Sequence, residues 1–205
     1  MDDEERQEQH QFEELIQGLI DETYGCCDDF IFPSTVIGLK ANVQSLIASG
    51  HMKPSGIGNK AVYQKDSSIR GDTINWIENQ TVNPFEVIYM NKIEKFILYL
   101  NKTCFTSIKS FESHYANYET GSFYLRHKDQ FKNETGRKFS IVLYLNVDWK
   151  DADGGVLSLY PTDRQKIDIS PIGGRIVLFR SDEMEHEVSA SFTRDRSSIA
   201  AWLKA

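Results

Sequence analysis

The sequence predicts an α+β fold, with amphipathic helices first and a closed or double-sheet β architecture after them. Three observations carry this expectation. Apolar residues up to about residue 105 recur with the helical period, and from about Ser107 the period drops to two. The second stretch divides into eight short candidate strands punctuated by turn residues such as Asp153-Gly154-Gly155 and Ile172-Gly173-Gly174. Helices that precede the strands as a block are expected to pack on one outer sheet face.

In the helical part, Phe12, Leu15, Ile16, Leu19 and Ile20 form the apolar stripe of a first helix. A second starts at Pro33-Ser34-Thr35, where a hydroxyl is expected to cap the first amides. It buries Val36, Leu39, Val43, Leu46 and Ile47 and stops at Gly50. A third takes Asn83 as cap and Pro84 as its first residue, with a stripe of Ile88, Ile93, Phe96, Ile97 and Leu100. Between the last two lies the long polar connection Lys53–Asp72, with a short strand expected over Ala61–Lys65. Connections of that length are usually functional or disordered.

The candidate strands are Ser110–Tyr118, Phe123–Lys128, Lys138–Val147, Val156–Tyr160, Gln165–Ile169, Arg175–Phe179, His186–Ala190 and Arg196–Leu203. Alternation assigns their faces. Phe139, Ile141, Leu143 and Leu145 suit a surface under the helices, while Ser140, Val142, Tyr144 and Asn146 suit a polar-lined interior. Arg196, Ser198, Ala200 and Trp202 share one face of the last strand, and His186 shares the inward side with Val188.

At 205 residues, one domain spanning 1–205 is expected: residues 1–105 as mainly helical support and 107–203 as the β core. The composition, 40% hydrophobic and 26% charged, is that of an ordinary globular chain. A net charge of −7 without a dense Lys/Arg cluster argues against nucleic acid. Cys26, Cys27 and Cys104 form neither a disulfide framework nor a zinc pattern and read as reduced thiols. The acidic start is unlike a signal peptide and no apolar run is long enough to span a bilayer, so the expected location is the cytoplasm, with no membrane partner.

The chemistry concentrates in His127, Asp129 and His186. A His-x-Asp pair on a strand directs imidazole and carboxylate to the same side, and a second His arrives 59 residues later. Two histidines and one carboxylate cap one face of an octahedral Fe(II) and leave three positions open, enough for a chelating 2-oxo acid and dioxygen. Arg196, ten residues past the second His, offers the planar cationic fork that grips a distal carboxylate. Within a cavity bearing that charge, Tyr118 and Tyr144 are candidate hydrogen-bond partners of the co-substrate, and Trp202 is either wall or plain core. His10, His51 and His114 lack a carboxylate two residues away and read as surface or structural. Arg70-Gly71-Asp72 resembles an adhesion motif without a context for it, and Gly56-Ile-Gly58 imitates a dinucleotide fingerprint without the preceding strand.

The segments Tyr124-Leu-Arg-His127-Lys-Asp129, Gly136-Arg-Lys-Phe-Ser-Ile-Val-Leu-Tyr144-Leu-Asn-Val-Asp-Trp149 and Ser181-Asp-Glu-Met-Glu-His186-Glu-Val188, with Ile69-Arg-Gly-Asp72 upstream, carry a resemblance over residues 55–203. The chain resembles the 2-oxoglutarate-dependent prolyl hydroxylases that modify hypoxia-inducible factor, and their small bacterial relatives. The resemblance implies a double-stranded β-helix (jelly roll) with helices on its outer face. It also implies Fe(II), 2-oxoglutarate and O2, with ascorbate as reductant, and hydroxylation of a prolyl residue in a protein. His127, Asp129 and His186 would bind iron, Arg196 and Tyr144 the far carboxylate of 2-oxoglutarate, and Tyr118 the co-substrate near the metal. Tyr118 stands one residue closer to His127 than the family pattern asks, and Arg194 is a rival to Arg196 that the six-residue step to Trp202 disfavours. Loop 53–72 would fold over the protein substrate, and a bacterial branch of the family acts on a translation elongation factor. A monomer is expected. Two alternatives remain at this point: the same cofactors serving another residue or a free amino acid, and a non-catalytic metal-binding β-barrel.

Overall fold

The computed structural model describes residues 3–56, 68–130 and 136–205. Among the described residues, the first part runs α1 (Asp3–Glu22), β1 (Tyr24–Cys27), α2 (Pro33–Ala48), β2 (Lys53–Pro54), β3 (Thr73–Trp76) and α3 (Pro84–Cys104). Eight strands follow: β4 (Ser110–Tyr118), β5 (Tyr124–His127), β6 (Arg137–Tyr144), β7 (Leu157–Tyr160), β8 (Ile167–Ile169), β9 (Ile176–Arg180), β10 (Glu185–Val188) and β11 (Arg196–Lys204). A seven-stranded sheet, in the order β1-β9-β6-β11-β4-β3-β2, faces a four-stranded sheet ordered β5-β10-β7-β8. Every strand-to-strand pairing is antiparallel. This is the double-stranded β-helix.

Two apolar cores follow from the alternation of side chains along the large sheet. Phe139, Ile141 and Leu143 of β6 point outward and pack with Leu15, Leu39, Val43, Ile93, Phe96 and Leu100 of the helices. From the same strands, Tyr144, Ala116, Val177 and Phe179 point inward and meet Leu157, Leu159 and Val188 of the small sheet. The candidate site lies in the second layer, so the helices brace the sheet from behind without entering it.

The eight strands read from the sequence are all present, within a few residues at their ends. Strands β1 to β3 were not anticipated. They are two to four residues long, too short to show a period. β1 is admitted by Gly25, where an added Cβ would stand 2.1 Å from the Leu15 carbonyl oxygen, so α1 touches the strand backbone directly. Helix detail also departs from expectation. α2 begins with Pro33 after Phe32 and has no side-chain cap, because Ser34 and Thr35 already lie inside its first turn. Ile20, Ile47 and Ile88, assigned to buried stripes, are 68%, 43% and 45% exposed. Asn83 does cap α3, accepting from the Phe85 and Glu86 amides. The strand expected over Ala61–Lys65 lies outside the described residues. No helix among the described residues is long and apolar enough to cross a membrane, and Cys26, Cys27 and Cys104 are unpaired.

Candidate metal and co-substrate site

His127 and His186 are directly opposite each other in the β5–β10 register. Their ring centroids are 4.2 Å apart. The two Nε2 atoms converge on Asp129 Oδ1, at 3.6 and 3.7 Å. Ligand atoms at about 2.1 Å from one ion are at most about 4.2 Å apart, so this spacing accommodates a single cation. Among the described residues, these three form the sole His/Cys/Asp/Glu cluster suited to a metal ion.

Hydrogen bonds set the tautomer of each ring. His127 Nδ1 lies 2.7 Å from the Leu125 carbonyl and His186 Nδ1 lies 3.3 Å from the Met184 carbonyl. A carbonyl only accepts, so both Nδ1 atoms carry the proton and both Nε2 lone pairs face the shared centre. Burial pushes the His186 imidazolium down to about 4, which keeps that ring neutral and able to ligate at neutral pH. Burial raises the Asp129 acid, and the hydrogen bond donated by Ser140 acts the other way by favouring the carboxylate.

Asp129 corrects one sequence argument. β5 ends at His127, so Asp129 lies in a bend and not on a strand. Its position comes from tertiary contacts: Ser140 Oγ donates to Oδ2 at 2.7 Å, and Arg137 Nη1 donates to its carbonyl at 3.1 Å. One carboxylate oxygen is thereby occupied by Ser140 while the other faces the histidines.

Along the inner face of the large sheet, paired residues form successive rows. Trp202 lies beside Ser140, Ala200 beside Val142 and His114, Ser198 beside Tyr144 and Ala116, and Arg196 beside Tyr118. The triad therefore attaches at the Trp202 end and Arg196 marks the other. Arg196 is only 2% exposed, and its guanidinium carbon is 5.0 Å from the ring centroids of both Tyr118 and Tyr144. Its Nε and the Tyr144 hydroxyl are buried without a hydrogen-bond partner. A desolvated cation beside an unpaired hydroxyl is costly unless an anion joins them. That is the fit expected for the far carboxylate of a 2-oxo diacid.

Arg194 is elsewhere. It donates to Asp153 and to the carbonyls of Val147 and Asp148, and lies over Trp149, outside the space between the sheets. Trp202 is 8% exposed and packs against His114, Trp76 and the Arg137 guanidinium. Four residues around the site carry no assigned role in the sequence reading. His114, set aside as surface or structural, lies on the inner face, 1% exposed, with Nδ1 unpartnered. Its place on the face of Ala116 and Tyr118 was legible from parity. Arg70 and Asp72, dismissed as a chance motif, form a buried bidentate pair at 2.6 and 2.9 Å. Arg137 gave no local signal.

Comparison with known proteins agrees with this geometry. The 2OG-Fe(II) oxygenase superfamily model matches residues 113–204. The hypoxia-inducible factor prolyl hydroxylase of Caenorhabditis elegans is 40% identical over 85 residues; the match covers 40% of this chain and 12% of that protein. A prolyl-4-hydroxylase structure from Pseudomonas putida superposes with a TM-score of 0.86 at 30% identity, covering 95% of this chain and 99% of the other. A Trichoplax adhaerens prolyl hydroxylase, solved with a peptide of the hypoxia-inducible factor oxygen degradation domain, gives 0.86 at 26% identity, covering 98% and 92%. Because the likeness to the Pseudomonas protein runs through nearly the whole of both chains, the chain belongs to the 2-oxoglutarate- and Fe(II)-dependent oxygenases of the prolyl-hydroxylase type.

Proposed function

We propose that this protein hydroxylates a prolyl residue in a protein substrate, using Fe(II), 2-oxoglutarate and O2 and releasing succinate and CO2. The observation that carries the reading is the buried Arg196, whose Nε has no hydrogen-bond partner, beside Tyr144 on the inner sheet face whose other end carries the triad. A molecule with a metal-chelating group and a distal carboxylate satisfies both ends at once.

In this reading His127, Asp129 and His186 hold Fe(II). When bound, iron and 2-oxoglutarate supply the oxidation that breaks the substrate C–H bond. The remaining tasks belong to the chain. Leu125 and Met184 carbonyls keep the imidazoles in the ligating tautomer. Ser140 keeps one Asp129 oxygen occupied. Arg196 would neutralise the far carboxylate of 2-oxoglutarate and Tyr144 would donate a hydrogen bond to it, and burial keeps that phenol protonated by pushing its pKa up. Tyr118, lying on Arg196, and Trp202, beside the triad, line the cavity and exclude water. The substrate is a protein segment, as the peptide complex of the Trichoplax relative suggests. Loop 53–72 contacts it, a translation elongation factor is the first candidate, and ascorbate serves as reductant. The enzyme acts as a cytoplasmic monomer.

The test is turnover of 2-oxoglutarate to succinate by purified protein, with mass spectrometry of proteins from cells with and without the active enzyme. Gain of one oxygen on a proline, lost in the His127→Ala and Asp129→Ala variants, is the expected result. Turnover without any proline modification would move the substrate to another residue or a free amino acid. Metal binding without turnover would leave a binding module.

A further inference from the structure

The three ligands are held by different means. His186 is buried and its ring packs against Phe179 at 4.7 Å between centroids. Asp129 is fixed by Ser140 and Arg137. His127 sits on β5, the edge strand of the small sheet, and its side chain is the most open of the three at 17% exposure. One hydrogen bond to Leu125 sets its tautomer, and the His186 ring flanks it at 4.2 Å between centroids.

A stack adds a restraint on the ring plane. The Tyr124 ring lies on the His127 ring with centroids 3.5 Å apart and planes within 17°. The Arg70 guanidinium carbon lies over the same Tyr124 ring, 4.6 Å from its centroid. Arg70 is itself clamped by both oxygens of Asp72, which is 2% exposed and also accepts from Ser55 Oγ at 2.6 Å. The main chain repeats the connection: Leu125 N donates to the Ile69 carbonyl at 2.9 Å and Gly71 N to the Phe123 carbonyl at 3.0 Å. Residues 69–71 thus run beside β5 as its outer neighbour, and the Leu125 amide they secure belongs to the residue whose carbonyl holds His127 Nδ1.

We propose that Arg70 is a positioning residue for the metal centre, fixing the ring plane of His127 through Tyr124. Arginine suits the task because a guanidinium locked by a bidentate carboxylate presents a rigid plane to an aromatic face, whereas an ammonium does not. The inference rests on the reading of His127 as an iron ligand. It extends the metal site to a segment that lies more than 40 residues before the region matched by the oxygenase model.

The experiment uses Co(II), whose visible absorption reports ligand geometry, titrated into metal-free full-length protein, with thermal unfolding recorded for each variant. Arg70→Met and Tyr124→Leu are expected to weaken Co(II) binding about tenfold, the scale of losing an outer-shell support, and to change the visible band. Tyr124→Phe keeps the ring and should stay within about twofold, and Arg70→Lys should fall between. Ile93→Ala, in the helical core, controls for general destabilisation. If Arg70→Met fails to fold because Asp72 is left unpaired, Arg70→Met/Asp72→Asn and Tyr124→Leu carry the test. Parental affinity and band shape in Tyr124→Leu and in either Arg70 variant would overturn the proposal. So would a loss no larger than that of Ile93→Ala at equal destabilisation. Should the parent itself bind no Co(II), or bind it equally well as His127→Ala, the metal-site reading falls instead.

Discussion

Two arginines two residues apart illustrate how much a single side chain's surroundings decide. Arg196 is buried on the inner sheet face with an unpartnered Nε, while Arg194 is spent on Asp153 and two loop carbonyls. Arg196→Met should leave Co(II) binding intact and weaken 2-oxoglutarate binding at least about tenfold, since a charge-assisted contact contributes roughly 1.5–3 kcal/mol. Arg194→Ala should leave 2-oxoglutarate binding unchanged and cost about 1 kcal/mol of stability, seen as a fall of about 2–4 °C in Tm. Titration calorimetry of the two variants separates the effects, and the reverse pattern would move the anchor. His114 carries a pH signature. Burial, reinforced by Arg70 and Arg137 and opposed by Asp72 and Asp129, pushes its imidazolium down to about 4. The unfolded ring takes a proton near 6.5, so between those values the unfolded chain holds a proton that the native chain does not. Stability therefore falls as pH drops through that window, by up to about 3 kcal/mol from this group. His186 contributes over the same window in metal-free protein, so His114→Phe should reduce the dependence by about half in urea unfolding compared at pH 7 and pH 4.5.

Capping distinguishes the helices. Asn83 satisfies two amides at the start of α3, so Asn83→Ala should cost about 1 kcal/mol in chemical unfolding. Ser34→Ala in α2 should cost under about 0.5 kcal/mol, because the side chain makes no cap there. The sequence placed both caps by residue type, and the contrast shows what type leaves open: a hydroxyl caps only when it stands just before the first turn, and Phe32 holds that position in α2. The β elements were more legible. Alternation along Arg137–Tyr144 and Arg196–Lys204 correctly divided Ile141 and Leu143 from Tyr144, and put Arg196 on the cavity side. A two-residue period survives small errors at strand ends, provided the strand is long enough to show it. β1 to β3 are not.

At the scale of the whole molecule, the large sheet separates stability from chemistry. Ile93 is fully buried in the layer between helices and sheet, with the sheet between it and the triad. Ile93→Ala should cost about 2–5 kcal/mol in chemical unfolding and leave Co(II) affinity near the parental value under native conditions. A parallel loss of metal affinity would show that the helical layer also sets the geometry of the site.

The sequence by itself determined the residue chemistry, two histidines, a carboxylate and an arginine, and the strand faces that turn His186 and Arg196 inward. These are local properties, written in neighbours two residues apart. Only the tertiary structure decided that His127 and His186, 59 residues apart, stand opposite each other in register, and that Asp129 reaches them from a bend fixed by Ser140 and Arg137. It also brought Arg70 over the Tyr124 ring and that ring onto His127. Periodicity specifies which way a side chain points along its own strand. It holds no information about which distant strand will lie alongside, because that choice is made by the packing of all the faces together.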